Sequence, residues 1–254
     1  MELLQGIQER AMFRGRFSSR KIPEADLLRL AEAAGWAPSG HNSQPWEFVA
    51  VDDDATIDAI ARAAADHFDA FLATSDALGE FVRRFMSWLR WSDEELLARG
   101  DGILMRRQSE QVWRELAAES DDARRREVLL GLFSSRGQPS KLITTAPCLM
   151  FTLVDRDRKV PDYSNDMLAL TCAGSAMQNL RLAAVALGIA VHEQSPLYDL
   201  PGTREATAKL LGIPDNFAIV GGMRLGYPDA PSQALSTHVR RGAARTLHRN
   251  RYRA

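Results

Sequence analysis

The chain has 254 residues, of which 45% are hydrophobic and 26% are charged, a composition typical of a soluble globular protein. Its 32 basic and 33 acidic side chains give a net charge of −1, which argues against binding of nucleic acid through overall charge. Two cysteines cannot form a disulfide framework, and no Cys/His spacing typical of zinc sites is present. The N-terminal segment lacks an apolar core, so we expect no signal peptide and a cytoplasmic protein.

The predicted elements alternate irregularly between helices and strands. In chain order they are helices at 2–13 and 24–36, a strand at 46–51, helical structure at 55–135, a strand at 147–154, a helix at 164–188, a strand at 189–192, a helix at 203–211 and a strand at 217–225. This irregular order predicts an α+β fold. Polar residues in the middle of the long apolar stretch 168–191 argue against a membrane span. Glycine motifs of dinucleotide folds and P-loops are absent, which argues against both kinds of nucleotide site.

The first candidate site is the loop Arg16-Phe-Ser-Ser-Arg20, between the first two predicted helices. Its guanidinium and hydroxyl groups are hydrogen-bond donors, and guanidinium groups match the acceptor oxygens of a phosphate. Exposed loops rich in arginine and serine are also common, so a solvated surface loop is the alternative.

The second candidate site is Ala37-Pro-Ser-Gly-His-Asn-Ser-Gln-Pro-Trp46, which joins a predicted helix directly to a strand. Two prolines restrict its backbone, and its short polar side chains present many donors and acceptors. A rigid loop of this kind is a common ligand site, and an ordinary turn is the alternative.

The two loops together resemble the FMN-dependent nitroreductase family. Later motifs follow in the order and approximate spacing of that family: Lys141-Leu-Ile-Thr-Thr-Ala-Pro147, Gln178-Asn-Leu180, Leu187-Gly188, Leu211-Gly-Ile-Pro214 and Gly226-Tyr-Pro228. The resemblance covers residues 14–52 and 138–241. It implies a nitroreductase-like α+β fold, with a mainly antiparallel central sheet flanked by helices, in an intertwined homodimer.

The resemblance implies that the first loop binds the phosphate and ribityl edge of FMN, with a basic residue near the chain end closing over the phosphate. The implied contacts are Arg16, Phe17, Ser18 and Arg20, and either Arg240 or Arg241. Charge-assisted hydrogen bonds of roughly 1.5–3 kcal/mol each would retain the phosphate dianion without a P-loop. Phe17 stands where the family often has Arg or His, so one possible phosphate donor is missing.

The resemblance also implies that the second loop comes from the partner subunit. The residues that would touch the partner's flavin are Pro38, Ser39, Gly40 and Asn42. A complete site would therefore require a homodimer with two flavins at its interface.

Two further segments are implied to meet the flavin ring. Gln138 and Lys141 match positions near its pyrimidine side, where a cation would stabilise the negative charge of the reduced ring. A solvated lysine that caps a turn is the alternative for Lys141. Pro196 and Leu197 match a stretch whose backbone lies near the flavin N5 atom. The next two positions, often an acid and a glycine in the family, are tyrosine and aspartate here, which affects the usual nicotinamide approach.

Residues 66–135 exceed what a minimal family member needs and predict a helical insertion. Aromatic residues recur in it and would form either a lid over a planar substrate or, more simply, core or dimer contacts: Phe81, Phe85, Trp88, Trp91 and Trp113. The arginine-rich residues 239–254 predict a solvated arm or an extension that wraps a partner. With both additions we expect a single domain over residues 1–254.

The implied activity is an FMN-dependent transfer of electrons from NAD(P)H to a small conjugated or nitroaromatic acceptor. Because the flavin would supply the chemistry, neither a catalytic side chain nor a metal is predicted. Two alternatives stay open: a flavin-dependent dehydrogenase or oxidase of a specialised metabolite, and a flavin-binding protein without NAD(P)H turnover. The expected partners are small molecules and a second copy of the chain, not nucleic acid or a membrane.

Overall fold

The computed structural model describes residues 2–13, 15–73, 91–92, 94–96, 114, 118–121, 123–124, 127, 139–158, 160, 166–229 and 246–251. The described helices are α1 (Leu3–Glu9), α2 (Glu24–Gly35), α3 (Asp54–Ala73), α4 (Pro139–Thr144), α5 (Met167–Ala186) and α6 (Pro201–Leu210). The described strands are β1 (Trp46–Val51), β2 (Cys148–Asp155), β3 (Ala190–Glu193) and β4 (Phe217–Gly226). Short 3₁₀ turns lie at Gly40–Asn42 and Ser195–Leu197.

The four strands form an antiparallel sheet in the order β1-β2-β4-β3. Every residue of β2 is buried, because this strand lies between two others, and its continuous apolar run is typical of such a position. The predicted α+β fold with a central antiparallel sheet is therefore confirmed.

Apolar side chains on the two faces of the sheet belong to two separate core clusters. Met150 packs in one cluster with Leu30 of α2 and Leu180 of α5. Its neighbour Leu149 packs in the other cluster with Ile57 of α3. Since successive strand residues point to opposite faces, helices cover the sheet on both sides.

Two predicted helix ends differ from those in the structure. The first helix ends at Glu9, not near residue 13, because Phe13 donates its backbone N–H to the Val191 carbonyl at 2.9 Å and is buried. The helix predicted to close at Gly188 ends at Ala186. Gly188 has a φ of 68°, as the predicted glycine at a helix C-terminus requires.

Contacts within the chain define two compact units. The first, which contains the sheet, is Met1–Asp69 with Gln138–Ser232, and the second is Ala70–Gly137 with Gln233–Ala254. The expected single domain with a helical insertion at 66–135 stays a prediction, as do the lid and the arm. Most of the predicted lid aromatics and the arginine-rich tail before residue 246 lie outside the described residues. Among the described helices, none has the length and apolar character needed to cross a membrane.

Candidate functional site

The loop that carries Arg16 and Ser18 is fixed by backbone pairing with the chain that follows β4. Ser18 donates its N–H to the Tyr227 carbonyl at 2.8 Å, and Asp229 donates its N–H to the Arg16 carbonyl at 3.0 Å. Between these bonds Phe17 forms an isolated antiparallel bridge. The sheet therefore sets the path of the predicted phosphate loop.

Side chains of this loop divide into a buried and an exposed set. The Phe17 ring is 9% exposed and lies 4.9 Å from the Phe13 ring, centroid to centroid. Arg16 is exposed and Ser18 is half-buried. Arg20 is also exposed, and its guanidinium lies 3.8 Å from the centroid of the Tyr227 ring. Buried aromatic contacts thus hold a loop whose guanidinium groups face solvent.

The 3₁₀ turn that carries Pro196 and Leu197 is attached to β4. Gln194 donates its N–H to the Gly222 carbonyl at 2.9 Å. A Cβ at Gly222 would come within 2.7 Å of the Leu197 Cβ, so the turn reaches its place only because that position is glycine. Leu197 is fully buried and Pro196 is half-buried. The predicted N5 segment is therefore seated rigidly against the strand.

Tyr198, which follows this turn, is joined to a charged pair. Its hydroxyl donates to Glu193 Oε1 at 2.6 Å, and the other oxygen of that carboxylate pairs with Arg181. Burial and the neighbouring carboxylate raise the pKa of Tyr198. A neutral phenol therefore stands where the family often has an acid.

Lys141 lies in α4, the helix that precedes β2. This helix is anchored by Ile143, which is fully buried. Directly after it, the Thr145 hydroxyl accepts a hydrogen bond from Arg224 Nη2 at 3.0 Å. The other predicted residues of this part of the site, Gln138, Arg240 and Arg241, lie outside the described residues.

The loop that contains Pro38, Ser39, Gly40 and Asn42 lies against α5. A Cβ at Gly40 would come within 2.9 Å of Leu168 Cδ2. The loop is closed by its own hydrogen bonds, from the Gln44 N–H to Ser39 Oγ at 3.0 Å and from Gln44 Nε2 to Asn42 Oδ1 at 3.1 Å. Pro38 and Asn42 are exposed. Local hydrogen bonds and close approach to α5 thus hold this loop.

A pocket of about 210 Å³ lies beside the predicted phosphate loop. It is lined by Arg10–Phe13, by Arg181 and Val185 of α5, by Gly188–Val191 and by Pro228. No predicted cofactor residue lines it, so the candidate site is the surface around the end of β4 and not this pocket. Among the described residues, no group of three or more His, Cys, Asp or Glu side chains is placed to hold a metal ion.

A family model described as the Nitroreductase family matches residues 7–227. The chain belongs to the nitroreductase family. The resemblance drawn from the sequence motifs is thereby confirmed. A search of curated proteins finds no match.

Solved structures share the fold of this nitroreductase family member at low sequence identity. An FMN-dependent nitroreductase from Clostridium difficile R20291 is 13% identical, with a TM-score of 0.58 over 98% of this chain and 100% of that chain. A nitroreductase with bound FMN from Bacteroides fragilis NCTC 9343 is 21% identical, with a TM-score of 0.51 over 90% and 89%. Oxidised iodotyrosine deiodinase bound to FMN and 3-iodo-L-tyrosine is 20% identical, with a TM-score of 0.55 over 91% of both chains.

Sequence reasoning missed the residue that links most of the site in this nitroreductase family member. Arg224 lies within β4, is 1% exposed and contacts Phe17 of the first loop, Thr145 directly after α4, and His192 of β3. Burial lowers the pKa of Arg224 to about 10, so the side chain remains a cation at neutral pH. The available signal was an arginine inside a strand predicted to be central, where charged side chains are rare.

Proposed function

We propose that this chain is an FMN-dependent oxidoreductase. The observation that supports this most directly is the pairing of residues 16–18 with 227–229, which fixes the backbone that carries the exposed side chains of Arg16 and Arg20 beside the end of the sheet. Two guanidinium groups and the Ser18 hydroxyl form a donor set that suits a phosphate dianion. FMN dependence agrees with the family match and with the FMN bound in two of the solved structures.

The chain's own residues would bind and orient the cofactor. Bound flavin supplies reversible electron transfer, and the protein supplies position and electrostatics. Lys141 in α4 would place a cation near the pyrimidine side of the ring. The turn at Pro196 and Leu197 would present its backbone to the opposite edge, because its attachment to β4 holds that backbone in place.

Tyr198 replaces the usual acid at the position after this turn and has a different chemical role. Its hydroxyl is engaged with Glu193 and its pKa is raised, so it carries no charge near neutral pH. An approaching donor or acceptor would therefore meet a neutral aromatic side chain. This favours apolar planar substrates over cationic ones at this edge of the site.

The loop with Ser39 and Asn42 would complete the site of a partner subunit in a homodimer. It is exposed, it presents polar side chains, and three of its residues have left-handed backbone conformations: His41, Asn42 and Gln44. Strained and exposed polar segments are frequent at ligand sites. Size measurement in solution is expected to give a dimer, and a flavin-loaded monomer would contradict a shared site.

Spectroscopy of the purified protein tests the cofactor assignment. We expect a yellow protein that releases a compound with the mass of FMN in near-stoichiometric amount. The double variant Arg16→Ala/Arg20→Ala should be colourless, whereas the control Arg62→Ala, at an exposed position of α3, should keep its flavin. Full flavin retention in the double variant would contradict the phosphate assignment.

We further propose that NAD(P)H reduces the flavin and that a small conjugated or nitroaromatic compound reoxidises it. Anaerobic mixing with NADH or NADPH should bleach the flavin absorbance, and addition of the acceptor should restore it. If neither donor bleaches the flavin, the specialised dehydrogenase or oxidase and the non-turnover binding protein become the better descriptions. The fold of iodotyrosine deiodinase extends the acceptors worth testing to halogenated aromatic compounds.

A further inference from the structure

A buried arginine that has no acidic partner among the described residues lies beneath the candidate site. Arg224 is 1% exposed, and within the described residues it forms no ion pair. Its Nε atom is buried and has no hydrogen-bond partner in the part of the chain that the structure describes. A charge in the protein interior costs free energy unless it is paired or serves another purpose, so this side chain calls for an explanation.

The contacts of Arg224 reach segments that are far apart in the sequence. Its Nη1 lies 3.0 Å from His192 Nδ1 on β3, and its Nη2 donates to Thr145 Oγ1 at 3.0 Å. Its guanidinium carbon lies 4.9 Å from the centroid of the Phe17 ring. Because a guanidinium can only donate, the His192 nitrogen that faces it accepts this hydrogen bond.

Each of these contacts belongs to a segment of the proposed flavin site. Phe17 lies between the two proposed phosphate-loop residues, and Thr145 directly follows the helix that carries Lys141. His192 contacts the side chain of Gln194 at 3.0 Å, and Gln194 directly precedes the turn with Pro196. One guanidinium therefore contacts Phe17 and Thr145 directly, and it is linked to the third segment through His192 and Gln194.

We propose that Arg224 is a positioning residue for the flavin and that its charge makes the bound flavin easier to reduce. This inference rests on the proposed function, since it requires a flavin at the surface that these segments form. The side chain is buried, so it acts on position through Phe17, Thr145 and His192. Its uncompensated charge acts through space, and it favours the added negative charge of reduction because a protein interior screens charges less than water does.

The test is to replace the charge and the hydrogen bonds separately. Arg224→Met removes both and keeps an apolar side chain of similar length, a kind of replacement that buried charges often tolerate. Arg224→Lys keeps the positive charge but loses the planar guanidinium group and its several donors. Thr145→Val also keeps the charge and removes the hydroxyl that accepts from Arg224 Nη2. Arg62→Met on α3 is the matched control, because it removes one positive charge from an exposed position.

Flavin affinity and the midpoint potential of the bound flavin are the measurements. Arg224→Met should bind FMN at least tenfold more weakly and shift the ratio of reduced to oxidised flavin about tenfold, a fall of about 30 mV for a two-electron couple. Arg224→Lys should restore the potential but not the full affinity, and Thr145→Val should lower affinity without changing the potential. Arg62→Met should change neither.

Four outcomes have distinct meanings. A folded Arg224→Met protein that binds no FMN supports the positioning role. If this variant does not fold, Arg224→Lys and Thr145→Val decide, and both keeping wild-type affinity would overturn the proposal. Wild-type affinity and potential in Arg224→Met would also overturn it while leaving the proposed function intact. Failure of the wild-type protein to bind any flavin would instead contradict the proposed function.

Discussion

The two predicted ligand loops of this chain are held in place by opposite means. The first, at residues 16–20, is bonded to residues 227–229 and inserts Phe17 into the core. The second, at residues 38–44, is closed by hydrogen bonds among its own residues and is largely exposed. The shape of the first loop therefore depends on the sheet, whereas the shape of the second is encoded locally.

The two loops also differ in the strain of their backbones. His41, Asn42 and Gln44 have φ values of 52°, 54° and 45°, a region that costs a residue other than glycine about 1 kcal/mol or more. No residue of the first loop, which lies wholly in the described part of the chain, has a positive φ, because core contacts rather than a strained backbone hold this loop. The two hydrogen bonds made by Gln44 offset part of the strain in the second loop, and contacts with the proposed partner subunit would offset more.

Phe17→Ala should release the first loop from the core and should cause the largest loss of unfolding free energy. It removes a buried ring that contacts Phe13 and Arg224, and large-to-small core substitutions of this type cost about 3 kcal/mol or more. Urea unfolding should show this loss, together with weaker flavin binding. Phe17→Leu, which keeps much of the apolar volume, should lose less than half as much. An unchanged unfolding free energy in Phe17→Ala would show that the loop is not anchored by its core contact.

Gly222→Ala should disturb the turn at Leu197 and have the next largest effect. The new Cβ would lie 2.7 Å from the Leu197 Cβ, so the strand or the turn must move, at a cost of about 1–3 kcal/mol. Gly174→Ala is the matched control, since a Cβ there meets no atom within 4 Å and alanine favours the surrounding helix. Equal unfolding free energies of the two variants would argue against close seating of the turn on β4.

The sequence predicted the fold because its strands and long helices carry strong local patterns. The apolar run of β2 and the glycine after α5 each correspond to the predicted element. Residues 10–13 were predicted to be helical, but Phe13 instead bonds to Val191 and enters the core. A long-range backbone bond of this kind leaves no local signal, so the end of the first helix was predicted too late.

The candidate site was predictable as a set of residues but not as an arrangement. The order of the motifs indicated Arg16 and Lys141 as site residues. Nothing in the spacing of the motifs indicates that Thr145 and Phe17 both contact the guanidinium group of Arg224. That juxtaposition follows from the sheet order, in which β4 lies between β2 and β3. Arg224 itself was visible as a charge in a central strand, and only the structure shows which segments it joins.

Ser39→Ala tests the second loop and should have a small effect on stability. It removes the acceptor of the Gln44 N–H, an exposed hydrogen bond worth about 0.5–1.5 kcal/mol. The control is Ser43→Ala in the same loop, because the Ser43 hydroxyl makes no hydrogen bond within the described residues. Thermal or urea unfolding of both variants measures the difference. A loss as large as that of Phe17→Ala would mean that the second loop, too, is part of the cooperative core.

Cys148 should react only very slowly with a thiol reagent in the folded protein, and the rate of this labelling distinguishes the two loops. This thiol is fully buried in β2, and burial raises its pKa to about 12, so roughly one part in ten thousand is thiolate at pH 8. Iodoacetamide should therefore modify it only when the sheet opens, as mass spectrometry can follow. We expect Phe17→Ala to accelerate this labelling and Ser39→Ala to leave it unchanged, because Phe17 packs in the same core cluster as Leu149 of β2, whereas the hydrogen bond of Ser39 is exposed.

The same thiol sets the sign of a small dependence of stability on pH. The unfolded chain releases the Cys148 proton near pH 9 and the folded chain near pH 12, so the folded state holds more protons in that window. Its contribution to the unfolding free energy is therefore present below pH 9 and is lost as the pH rises toward 12. Cys148→Ala should flatten this fall relative to wild type in urea unfolding at pH 8 and pH 10. Parallel curves for the two proteins would show that the thiol is accessible to solvent, and the sheet beside the first loop would then be less tightly closed than its contacts indicate.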